Sequence, residues 1–63
     1  MKTVSWYLHS FQMVMDDLVI ITPDRECRRL SFGRALDLYG HMRVSTAVVS
    51  SGHVFLILAP ADA

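Results

Sequence analysis

The 63-residue sequence predicts an α+β fold, a small antiparallel sheet built from an N-terminal and a C-terminal hairpin and packed on one helix, in the order ββαββ. Three observations point to it. The stretch VSTAVVSSGHVFLIL, residues 44–58, is two apolar runs about Ser51-Gly52, the signature of a two-residue hairpin turn. FGRALDLYGHM, residues 32–42, keeps its apolar side chains on one side of a helix. LVIIT is a β-branched run ended by Pro23, with strand character. The length fits one small domain over residues 1–63.

The first hairpin is the least determined element. In KTVSWYL, Val4, Trp6 and Leu8 alternate onto one side, and Asp16-Asp17 is a turn between this run and LVIIT. A helix over about Trp6 to Asp17 competes, because Tyr7, Phe11, Val14 or Met15, and Leu18 also follow helical spacing.

ITPDRECRR has the form of a helix start. Thr22 suits the N-cap, Pro23 the first helical position, and Asp24 and Glu26 the positive end of the helix dipole. The expectation is a helix from about Pro23 to Met42, with Cys27, Phe32, Ala35, Leu36, Leu38, Tyr39 and Met42 on its apolar side. Gly33 inside such a helix costs roughly 1 kcal/mol relative to alanine. A second reading makes Cys27 to Leu30 a strand and Ser31 the cap of a shorter helix; residues 32–42 are helical in both.

In the C-terminal hairpin Gly52 supplies a positive φ. Ser50 then faces His53, Val49 faces Val54, Val48 faces Phe55, Ala47 faces Leu56 and Thr46 faces Ile57. One face carries Ala47, Val49, Val54, Leu56 and Leu58, the other Val44, Val48, Phe55 and Ile57. Both are apolar, yet one helix covers only one face, and either face could be the one left over unless an N-terminal helix covers it. The remaining face is expected to meet a partner or a second copy, with Val48, Phe55 and Ile57 as candidate contacts.

Composition narrows the class. A chain this short buries a marginal core, and small scaffolds usually add disulfides, a metal or a partner. Cys27 is the only cysteine, so no disulfide forms within the chain. A lone cysteine, with no export signal in MKTVSWYLHSFQ, fits a reducing cytoplasm. The longest apolar run, HVFLILAP, is far short of the roughly 20 residues a membrane helix needs. Hydrophobic residues make up 52% and charged ones 19%, too apolar for disorder. Six basic and six acidic residues cancel, so the chain lacks the field of a dedicated DNA binder and equally that of an acidic DNA mimic.

The charge is nevertheless uneven: residues 25–43 hold five arginines against Glu26 and Asp37. Arg25, Arg28 and Arg29 form the most functional-looking cluster, one helical turn able to grip phosphate or carboxylate in bidentate fashion. A solvated helix face partly paired with Asp24 and Glu26 competes with that reading.

Catalytic and metal constellations are not expected. On the long helix Cys27 and His41 stand fourteen residues apart, about 21 Å along the axis. His9, His41 and His53 show neither i,i+4 nor H-x-H spacing, and Gly33, Gly40 and Gly52 make no phosphate loop. The expected protein is a non-enzymatic, cofactor-free binding module acting on a larger protein or ribonucleoprotein complex. Its rival is a small nucleic-acid-binding protein using Lys2 and the arginines, with Trp6 or Tyr7 stacking a base.

The helix RRLSFGRALDLYGHM followed by the hairpin VSTAVVSSGHVFLIL resembles, in architecture, several small phage-encoded inhibitors, notably some anti-CRISPR proteins. The resemblance covers about the last 35 residues and rests on no diagnostic motif. It implies a short non-catalytic chain that binds a CRISPR effector surface, and it assigns no functional residue.

Overall fold

The computed structural model describes residues 2–11 and 17–60. The order of elements is α1 (Val4–Phe11), β1 (Asp17–Ile21), β2 (Cys27–Ser31), α2 (Phe32–Tyr39), β3 (Val44–Ser50) and β4 (His53–Leu58). The α+β class holds, and the order ββαββ does not: a helix precedes the first strand and the sheet is mixed. The strands lie in the order β2-β1-β4-β3. Each hairpin is antiparallel, and β1 runs parallel to β4 in the centre.

The N-terminal run is helical rather than extended. Thr3 Oγ1 accepts the Trp6 amide at 3.2 Å, an N-cap, and Val4 and Leu8 turn inward one helical step apart. Trp6, expected on their side, is exposed. The expected turn at Asp16-Asp17 falls partly outside the described residues; Asp17 begins β1.

The long helix is also corrected. Thr22, Pro23 and Asp24 carry helix-start chemistry, but the same residues build a turn, with Pro23 at its second position. Arg25 N–H donates to the Thr22 carbonyl at 2.9 Å, and Thr22 N–H donates to that of Glu26 at 3.0 Å. Arg25, at φ 69°, takes the left-handed place that ends a three-residue hairpin loop. Cys27–Ser31 then pairs with β1, so Cys27 is exposed on an edge strand instead of buried on a helix. Helix α2 starts only at Phe32. Ser31 is its N-cap, accepting the Arg34 amide, and Gly33 sits in the first turn, where its cost is smaller.

In β3–β4 the five facing pairs are those that the turn dictates, from Ser50–His53 to Thr46–Ile57. Ser51 (φ 53°) and Gly52 (φ 78°) form the left-handed turn. A bulge between Val44 and Thr46 inserts one residue, so Val44 pairs with Leu58 and faces the core. The expectation that Val44 shares a face with Val48 is thereby overturned.

Facing residues share a side of the sheet. Leu18, Ile20, Val54, Leu56, Leu58 and Val44 are buried in one cluster with Val4 and Leu8 of α1 and Phe32 and Ala35 of α2. Both helices therefore lie on the same face. The second helix does not cover the second face. Among the described residues, no helix is long and apolar enough to cross a membrane.

Candidate functional site

Among the described residues, the second face of the sheet has no element packed on it. Side chains alternate along a strand, so Val19 and Ile21 of β1, opposite the buried Leu18 and Ile20, point to it. Register places Phe55 beside Val19, Ile57 beside Ile21, and Val48 beside Phe55. These five side chains form one apolar patch across the three strands β1, β4 and β3. Val19, Ile21, Phe55 and Ile57 are half-buried by their neighbours within the layer, while Val48 is 44% exposed.

The rim is polar and asymmetric. Arg29 and Cys27 of β2 bound one side, Thr46 and Ser50 of β3 the other. His53 closes the end beside Phe55, ring centroids 6.5 Å apart. His53 Nδ1 lies 3.1 Å from the Ser51 carbonyl oxygen, which only accepts, so Nδ1 carries the proton. Nε2 is then left as an acceptor toward Arg29 Nη2 at 3.4 Å. The histidine thus ties the β3–β4 turn to β2 and steers the guanidinium along the rim.

The expected arginine cluster does not form one surface. Arg25 stands in the turn, while Arg28 and Arg29 are successive on a strand and so point to opposite faces. Arg28 shares the helix-side face with Leu30 and pairs with Glu26 at 3.1 Å. That hydrogen bond, with the nearby negative groups, raises the guanidinium's pKa above its ordinary value. Only Arg29 borders the apolar patch. The aromatic residues of the nucleic-acid reading are elsewhere: Trp6 is on α1, across the sheet, with Lys2 Nζ 4.6 Å from its ring centroid. Arg25, Arg28 and Arg29 of that reading thus do not share one face with one another.

Of the six candidate contacts named from sequence, the fold brings Val48, Phe55, Ile57 and Arg29 to one side and separates Arg25 and Arg28. Sequence reasoning missed Val19 and Ile21 at the centre of the patch. Their signal was the unbroken LVII run, the mark of a strand that contributes to both faces. Cys27 lies on β2 and His41 beyond the end of α2. Among the described residues no group of three or more His, Cys, Asp or Glu is placed to hold a metal. No family model matches the chain, and neither the curated proteins nor the solved structures contain a match.

Proposed function

We propose that the protein is a non-enzymatic binding module whose contact surface is the open sheet face. The observation that carries this is the placement of both helices on one side of a four-stranded sheet, so that among the described residues no second layer covers Val19, Ile21, Phe55, Ile57 and Val48. Contiguous apolar patches rimmed by polar groups are where soluble domains bind partners. Arg29 is the charged side chain among those described on this face. The complementary surface is therefore an apolar protein patch with a carboxylate at its margin.

The most specific form of this reading is an inhibitor seated on a CRISPR effector, as the architectural resemblance implies, acting by occupying a surface in the cytoplasm rather than by catalysis. The test is phage plaquing on a host whose CRISPR system targets that phage. The wild-type chain is expected to restore plaques and Phe55→Asp to fail, with both proteins folded by circular dichroism. Restoration by Phe55→Asp would remove the open face from the mechanism. If neither restores plaques, the inhibitor reading fails and the binding-module reading is left to affinity capture with Phe55→Asp as control.

A further inference from the structure

The two edges of the sheet differ in a way that the function proposed for its face does not use. Free edges carry unpaired N–H and C=O groups, and proteins usually guard them with charge, proline or a covering segment. Edge β2, CRRLS, is guarded by Arg28 and Arg29. Edge β3, VSTAVVS, holds no charged residue and no proline. Its first residues are covered: Val44 N–H donates to the Lys2 carbonyl at 2.8 Å, and Thr3 bridges to Arg43. Beyond the bulge the cover ends, and Val48 and Val49 are 44% and 53% exposed on opposite faces of the same edge.

The hydrogen-bonding phase identifies the free groups. In an antiparallel ladder facing pairs alternate between bonded and non-bonded, and a two-residue turn is closed by a bonded pair. Counting from Ser50–His53, residues Ser50, Val48 and Thr46 bond to β4, while Val49 and Ala47 turn their N–H and C=O outward. Among the described residues nothing outside the hairpin bonds to them.

We propose that this edge pairs with β3 of a second copy, antiparallel about a two-fold axis at Val48, to give a continuous eight-stranded sheet. The match is self-complementary. Ala47 and Val49 of each copy exchange backbone hydrogen bonds with Val49 and Ala47 of the other, Val48 meets Val48, and Thr46 meets Ser50. No charge meets a like charge, which the same operation at β2 would not achieve, and the net charge of zero opposes no approach. The pairing also lays the open faces of the two copies side by side.

The test uses the whole chain and no partner, so its outcome is independent of the face's function. Wild-type protein is expected to sediment toward twice 7.1 kDa as its concentration rises through the micromolar range. In a Cys27→Ser background, Val48→Cys places two thiols across the axis on Cα atoms about 4.5 Å apart, within disulfide reach. Mild oxidation with glutathione should give a covalent dimer. Val49→Cys, whose copies stand diagonally at roughly 7–8 Å, should give much less. Val49→Lys should weaken self-association about tenfold or more with an unchanged circular dichroism spectrum. Should that variant unfold, Val49→Pro, which removes only an outward N–H, takes its place. A monomer at every concentration overturns the proposal, as does equal cross-linking from positions 48 and 49. A dimer broken by Phe55→Asp but not by the Val49 variants also overturns it, by placing the second copy on the open face.

Discussion

Ser5 donates its amide to the Gly40 carbonyl at 2.9 Å, tying the first turn of α1 to the end of α2. Val4 does the same to Met42, also at 2.9 Å. Two orphan donors at the positive end of α1 are thereby satisfied, one by the C-cap carbonyl of α2 and one by the segment that leads from α2 into β3. Gly40 is buried, and a Cβ there would collide with the Leu36 carbonyl oxygen. Gly40→Ala is expected to destabilise by about 1–3 kcal/mol, as overpacking does. Chemical denaturation measures this, and faster amide exchange at Val4 and Ser5 would show α1 released first.

Phe55 and Leu56 are neighbours in sequence with opposite surroundings. Leu56 is wholly buried, so Leu56→Asp strands a carboxylate in the core and is expected to unfold the domain. Phe55→Asp, on the open face, should stay folded at a cost of about 1–2 kcal/mol. Far-ultraviolet circular dichroism and urea titration separate the two.

Thr22 and Ser31 each accept a backbone amide through the side chain, and their roles are distinct. Ser31→Ala removes the α2 cap and is expected to cost about 1 kcal/mol. Thr22→Ala loses the bond from Glu26 N–H, 3.1 Å, and costs about 1 kcal/mol by loosening the β1–β2 turn. Amide exchange should quicken around residues 32–35 in the first and 26–28 in the second.

Arg25 holds a left-handed conformation without being glycine. That costs about 1–2 kcal/mol for an L-residue. Arg25→Gly, after subtracting glycine's larger loss of backbone entropy, is expected to stabilise by about 0.5–1 kcal/mol. A thermal melt should show a higher midpoint.

The legibility of this fold follows how local its determinants are. The β3–β4 register was readable because Ser51-Gly52 fixes the turn and every pair follows by counting. The bulge near Ser45 was not, since it answers to the Lys2–Thr3 segment that covers the edge there. CRRL was ambiguous because arginine and leucine suit helices, and only pairing with β1 makes it a strand. In α1, Val4 and Leu8 satisfy both periods, and the burial of both with Trp6 exposed decides for the helix. The site was half legible for the same reason. Val48, Phe55 and Ile57 belong to one hairpin, whereas Val19 and Ile21 join them through a pairing some 36 residues distant in sequence (Leu18 with Val54).

That central parallel pairing sets the order in which the chain must assemble. Each hairpin closes over a short loop and forms quickly, but β1 and β4 meet only after α2 and β3 have been laid down between them. The docking of two preformed hairpins is then the slow step. The turns at Arg25 and Ser51, formed before that step, govern the folding rate, and contacts completed only after β1 and β4 have docked govern mainly how fast the finished domain comes apart.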